Sequence, residues 1–526
     1  MMMTPLDQPL ATLAAALAVG RLTAREVIAA AVDRHRARAA LGAYLAFDAE
    51  RALGRATTAD RIWAEEGTLG PLHGLPVAVK DHFATPGFTT YAGTSHPLPT
   101  PWQQPGPLIR AVGRQWGIVM GKTVAVELAF GGLGVNRHWG TPYNPWDARH
   151  HRVPGGSSSG AGVSLWEGSA LVALGTDTGG SVRVPATMTG TVGLKTSAGR
   201  WSTEGVVPLS PTLDTVGGLT RTVADAAYAF AALEGIALED IAPKAPHELR
   251  LGVLRGLVWD DCSPGVGEIV TQALGELTRA GVAVADHPLA EAGEAVLMLR
   301  TGSVVSAECD AFLHGELAPW LSRLDPIVTA RIADGGSIPA REYLLRRRRL
   351  AHLAAAAQGR FQGVDALVWP TVPITPPRTA EVERLEDYRR LNMLSLRNTC
   401  IANMLDLCAL TLPVGLDAAG MPVGLQLVAP AMAEAQLLGA GLAVEAILGT
   451  APQRLGSPPA WRCCESTPPH RLAGPVDLGG GGDGRALRGP PPPRRPAVAP
   501  EALLPRGPGL LSSLCASSPR GHRGGR

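Results

Sequence analysis

The chain has 526 residues, 45% hydrophobic and 18% charged, which is ample for a large buried core and too long for a minimal binding module. A net charge of +2 excludes the strong pull toward nucleic acid or anionic membrane that a basic protein exerts. Seven cysteines, at 262, 309, 400, 408, 463, 464 and 515, form no CxxC pair and no zinc-ligand spacing, so they read as reduced thiols of a cytoplasmic protein, the first four as small buried apolar residues.

In chain order, the apolar run at 10–20 has the length of a signal-peptide core. Its flank carries Asp7 and no Lys or Arg, so it is expected to be a helix of the mature protein. Thr23 and Glu26 have capping-box spacing ahead of a second helical run, "LTAREVIAAAVDRHRARAA". "LHGLPVAVKDHF" (72–83) predicts a buried strand ending at Lys80, "GIVMGKT" (117–123) another, and "ALVALGTDTGGS" (170–181) a third that runs into a glycine loop. Later strands are predicted in "LRLGVLRGLV" (249–258) and "VDALVWPTVPIT" (364–375), with helices in "GVGEIVTQALGELTRAG" and "REYLLRRRRLAHLAAAAQGRF". The arginine run at 346–349 reads as a solvated face rather than a nucleic-acid patch, because four adjacent side chains point all around a helix. No stretch reaches the ~18 uninterrupted apolar residues of a membrane span; 401–416 is broken by Asp406 and Pro413. Strands alternating with helices over several hundred residues predict an α/β layered fold.

The character changes after about residue 455. Residues 471–526 hold nine Arg against three acids, a net of +6, and the preceding 470 residues carry −4. Gly and Pro fill 22 of those 56 positions, above the ~25–30% at which a packed core becomes implausible. The expected organisation is a catalytic domain over 1–455 and a disordered Gly/Pro/Arg-rich tail over 456–526. The tail's composition fits a genuine extension or a frame-shifted one equally.

Of 48 basic residues only four are lysine, at 80, 122, 195 and 244. Arginine cannot lose its proton in a protein, whereas a buried lysine shifts its pKa readily. Lys80, ending "LPVAVK", is therefore a candidate base; the plainer reading is a strand-end lysine reaching to solvent. "VPGGSSSGAGVSL" (153–165) contains a G-x-S-x-G centred on Ser158, but the elbow it would make needs a strand before it, and "PWDARHHRVP" is a poor one. "DTG" at 177–179 has no second copy to complete a carboxylate dyad. The consecutive amides of Thr178, Gly179, Gly180 and Ser181 can instead converge as a nest for an oxyanion, with Ser181 at its end. A tight turn or a phosphate nest remains the alternative on spacing alone.

Taken together, "VAVKDHF", "GKTVAVELAFGGLGVNRHWGTPYNPWD", "VPGGSSSGAG" and "LGTDTGGSVRVPATMTGTVGLKTSAGRWSTEGVVPLSPTLDTVGGLTRTVADAA" resemble the amidase-signature family, over about residues 11–451. The resemblance implies a large mixed twisted β-sheet covered by helices on both faces. It implies a Ser–cis-Ser–Lys triad of Ser181 as nucleophile, Ser157 as bridging serine on a cis peptide, and Lys80 as base. It places the oxyanion hole at Thr178, Gly179 and Gly180, loop-bracing roles at Asp177 and Arg183, and Gly131–Gly132, in place of a commoner Gly-Ser, near the substrate. No cofactor and no metal are implied; the expected partners are a small amide substrate and at most a second copy of the chain, with neither nucleic acid nor membrane. The expected function is hydrolysis of a small carboxamide to carboxylate and ammonia or amine. Its nearest alternative is the glutaminase-type component of the tRNA-dependent amidotransferase, against which the absence of an acid in "LSLRNTCIAN" (394–403) weighs. A non-catalytic binding protein on the same fold is a third reading, disfavoured by the intact Lys80, Ser157 and Ser181.

Overall fold

The computed structural model describes residues 5–67, 70–301 and 304–459. The expected tail therefore lies outside the described residues from 460 onward. At the N-terminus the helices Leu10–Ala18 and Ala24–Arg38 form where their apolar spacing predicts. The capping box closes as read: the Glu26 amide donates to Thr23 Oγ1 (3.1 Å) and the Thr23 amide to Glu26 Oε2 (2.8 Å), satisfying two donors that a helix start leaves open.

Eleven strands build one mixed sheet: β1 Tyr44–Phe47, β2 Pro76–Lys80, β3 Ile118–Thr123, β4 Val172–Asp177, β5 Val192–Lys195, β6 Thr215–Thr220, β7 Arg250–Val253, β8 Ala283–Asp286, β9 Ala366–Pro370, β10 Cys408–Leu416 and β11 Pro422–Ala429. Their order is β1-β3-β2-β4-β6-β5-β10-β11-β9-β7-β8. β2 runs parallel to both β3 and β4, and β7 parallel to β8 and β9, while the centre of the sheet is antiparallel. The five strands predicted from apolar runs all form, although the two later ones are shorter than their runs. The β10–β11 hairpin, buried along nearly its whole length, carries no polar alternation by which to recognise it.

Alternation within the strands divides the core into two layers. Leu410, Leu412, Leu425, Leu427 and Val368 face one apolar cluster, shared with Val270 and Leu274 of the helix Val266–Arg279 and Leu437 of Glu434–Leu448. Leu367, Trp369, Ala409 and Val428 face the other, with Cys309, Leu350 and Leu353 from helices on the opposite side. Helices thus cover both faces, as a sheet buried on two sides requires. The segment Glu434–Leu455 is apolar enough to cross a bilayer by length and composition, yet 56% of its most apolar window is buried inside the fold. The arginine run lies on the helix Ala340–Gln358, largely solvated, with Arg346 and Arg349 paired to Glu342 and Glu294. One expectation needs correcting: Cys309, Cys400 and Cys408 are buried, but Cys262 is only partly so, because it lines a surface cavity.

Because β2 and β4 are parallel neighbours, in register from Val77 with Val172 to Val79 with Leu174, their carboxyl ends open on the same edge. That edge is where α/β sheets place ligands. It brings Lys80 beside the glycine loop that follows Asp177.

Candidate active site

Lys80 ends β2 with no solvent exposure. Its Nζ donates to Ser157 Oγ at 2.7 Å and to Thr176 Oγ1 at 2.6 Å, and no carboxylate touches it. Burial disfavours the charged ammonium and lowers its pKa to about 7, against the opposing pull of Asp214 and Asp177. A lysine so placed can hold or release a proton near neutral pH.

Ser157 follows a cis peptide bond from Gly156. The Gly156 amide donates to Gly132 O (2.8 Å), and the Ser157 carbonyl accepts from the Val126 amide (3.0 Å). Gly155 needs to be glycine: its φ is +80°, and a Cβ there would lie 2.8 Å from Pro185 Cα. The Ser158 amide donates to the carbonyl of Ser181 at 3.2 Å, which ties the two serine segments together. Ser158 itself is fully buried, its Oγ has no hydrogen-bond partner, and no strand precedes it. The strand–turn–helix context of a nucleophile elbow is absent.

The loop after β4 is held from beneath. Arg183, unexposed, donates through Nε to Asp177 Oδ2 (3.1 Å) and through Nη2 to Asp177 Oδ1 (2.9 Å). The same guanidinium reaches Asn403 Oδ1 (2.7 Å), Gln426 Oε1 (2.5 Å) and Thr399 O (2.8 Å). Asp177 also accepts from the Val182 amide (3.1 Å) and Asn403 Nδ2 (2.8 Å). Burial alone would raise its pKa, but the Arg183 charge and these donors hold it well below the usual carboxylate range. With both partners held by further hydrogen bonds, this buried pair meets the condition under which such pairs are tolerated.

Above that brace, the amides of Gly179, Gly180 and Ser181 have no acceptor among the described residues. Thr399 Oγ1 donates to the Gly179 carbonyl at 2.7 Å, fixing the peptide's direction. Gly180 has φ +136°, and a Cβ there would lie 2.1 Å from that same Thr399 Oγ1, so glycine is required. Thr178 Oγ1 donates to Asp214 Oδ1 (2.6 Å), whose other oxygen accepts from the Leu209 and Ser210 amides (2.9 and 3.0 Å). Burial lifts the Asp214 carboxyl to about 6 despite these donors. Free amides aimed from a rigid loop can hold a developing oxyanion.

Ser181, Thr178, Gly179 and Gly131 line one cavity of about 240 Å³. A larger one of about 1250 Å³ shares Leu299, Arg300, Arg389 and Met393 with it. Of these two, the smaller reaches Ser181. Gly132 sits behind the wall, where a side chain would run into Leu396 and Ser395, and its amide donates to Asn392 Oδ1 (2.7 Å). Thr176, Asp214, Thr399 and Asn403 are functional neighbours that the sequence does not single out. Asp214 stands inside "PTLDTVGG", but nothing in its neighbours distinguishes it from a turn residue. Among the described residues no His, Cys, Asp and Glu cluster could hold a metal ion.

The amidase family profile matches residues 26–438. The chain is 50% identical over 446 residues to the 2-amino-5-chloromuconic acid deaminase of Comamonas testosteroni, covering 83% of this chain and 96% of that protein. It is 34% identical to the A chain of the Glutamyl-tRNA(Gln) amidotransferase of Acidothermus cellulolyticus, covering 82% and 93% respectively. A solved amidase structure superposes with a TM-score of 0.74 at 31% identity, over 84% of this chain and all of that one.

Proposed function

The chain belongs to the amidase family, hydrolases of amide C–N bonds, and we propose that it cleaves a small carboxamide through Ser181, Ser157 and Lys80. The observation that carries this reading is the buried 2.7 Å contact between Lys80 Nζ and Ser157 Oγ, with burial bringing the lysine to about 7. A serine hydroxyl is a weak nucleophile near neutrality and needs a base within reach.

In the neutral state Lys80 Nζ takes the Ser157 proton as Ser157 takes that of Ser181. Ser181 Oγ bonds to the carbonyl carbon, and the electron pair displaced onto oxygen is held by the loop amides. The tetrahedral intermediate collapses, the C–N bond breaks, and the proton returns from Lys80 through Ser157 to the departing nitrogen. Water then attacks the acyl-enzyme by the same relay, releasing the carboxylate and restoring Ser181. Asp177 and Arg183 touch no reacting atom; they hold the loop in shape.

The amidotransferase relative keeps a glutaminase role open as a second reading, and glutamine belongs among the test substrates, as does an amine-bearing acid of the kind named for the deaminase relative. The test measures ammonia release from these and from aliphatic and aryl carboxamides. Ser181→Ala should abolish turnover, and a fluorophosphonate should label Ser181. Near-wild-type turnover by Ser181→Ala, with loss on Ser158→Ala, would overturn the assignment.

A further inference from the structure

The cavity at Ser181 is walled by more positive charge than its own carboxylates can neutralise. Arg300, Arg331 and Arg389 line it against a single acid, Asp334. That acid is engaged, with Arg389 Nη2 3.1 Å from its Oδ2. Arg331, on the helix Pro326–Gly336, makes no ion pair among the described residues. Its Nη1 donates to the Phe130 carbonyl. Its guanidinium carbon lies 4.4 Å from the centre of the Phe130 ring and 5.2 Å from that of Tyr388.

Aromatic faces stabilise a cation but accept few of the five N–H donors of an arginine fork. Burial lowers the Arg331 pKa, yet a guanidinium stays charged at neutral pH. A desolvated cation without an anion is costly, and keeping one in the wall of a reaction cavity is reasonable where a ligand supplies the anion. Gly131 belongs to the same arrangement: a Cβ there would lie 2.3 Å from Tyr388 Oη and 3.5 Å from Arg331 Nη1. The missing side chain is what admits the Tyr388–Arg331 cage to the cavity wall.

We propose that Arg331 is the anion anchor of this site, and that the substrate is a small molecule bearing a free carboxylate besides the C–N bond that Ser181 attacks. The inference rests on Ser181 being the nucleophile. The planar fork matches a carboxylate in bidentate fashion, and the cavity, about 240 Å³, falls below the ~300–1,000 Å³ typical of sites for drug-sized ligands.

The experiment compares kcat/KM for the monoamides of four-, five- and six-carbon dicarboxylic acids with the matching neutral diamides. It also measures binding of the corresponding dicarboxylates to the Ser181→Ala protein by calorimetry. The full-length wild type should prefer its best monoamide by about tenfold or more, and Arg331→Gln should reduce that ratio by a similar factor. Arg331→Lys should restore part of the preference, since it keeps the charge without the fork. Equal use of monoamide and diamide by the wild type, or an unchanged ratio in Arg331→Gln, overturns the anchor while leaving Ser181 in place. Absence of both turnover and saturable dicarboxylate binding overturns it too. Monoamide hydrolysis that survives Ser181→Ala overturns the underlying assignment instead.

Discussion

Two lysines on neighbouring parallel strands have the same burial and opposite surroundings. Lys80, at the end of β2, touches only the hydroxyls of Ser157 and Thr176. Lys122, one strand away on β3, lies 3.2 Å from Asp81 Oδ1 and donates to the Phe83 carbonyl at 2.7 Å. Both are wholly unexposed. Burial pushes both pKa values down, but at Lys122 a touching carboxylate opposes it, whereas at Lys80 the opposing acids, Asp214 and Asp177, are not in contact. A third buried lysine, Lys195, donates to the carbonyls of Thr196 and Leu407 (2.9 Å each) and is lowered to about 8. Burial alone does not make a base. What matters is whether the nearest partner stabilises the ammonium or can exchange a proton with it.

The sharpest way to break this contrast is to keep the charge at Lys80 and remove its titration. Lys80→Arg and Lys80→Ala should each lower kcat by roughly 10²–10⁴-fold, the range of a general base. Steady-state kinetics on the best amide measures it, and substantial rescue by arginine would assign Lys80 an electrostatic role only. At the other lysine the loss should fall on stability. Lys122→Met strands Asp81 in the interior and should cost about 3–5 kcal/mol, seen as a lower denaturation midpoint with kcat per folded molecule maintained. A loss of turnover without a loss of stability would erase the distinction.

The pH dependence sharpens it further. A lysine lowered to about 7 is protonated and inactive below that pH and free above it, so kcat/KM should climb through about 7 and then level. Asp214 raises the Lys80 pKa through its charge. Asp214→Asn should therefore move the midpoint of that climb to lower pH, whereas Lys122→Met should leave it close to its wild-type position. A flat profile with chemistry rate-limiting would remove Lys80 as the base. The smallest effect is expected at the far end of the chain. Stopping after Leu455 removes a segment whose Gly and Pro content cannot offset its ordering entropy, and both melting temperature and turnover should stay unchanged. Unfolding of the shortened protein would place the domain boundary later.

Much of this site is readable along the chain. The strand ending at Lys80, the glycines before Ser157 and the loop from Asp177 to Ser181 are local patterns, and local backbone demands a local choice of residue. The partners that give those residues their state are not local. Asp214 meets Thr178 from 36 residues downstream, while Thr399 and Asn403 reach the loop from more than two hundred residues away. Arg331 stands in an unremarkable helical sequence, and only the packing of that helix against Phe130 and Tyr388 makes it a cavity wall. The β10–β11 hairpin escaped for a related reason: buried on both faces, it shows no alternation.

By itself, then, the sequence determined which stretches become strands, where the backbone must be bare, and that residues after 470 lack the apolar content for a core. The tertiary structure alone decided that Lys80 sheds its proton near neutrality while Lys122 sits against a carboxylate, and that the cavity keeps a guanidinium with no carboxylate against it among the described residues. Charge state follows from burial and from the distance to other charges, and both are set by residues that only folding brings together.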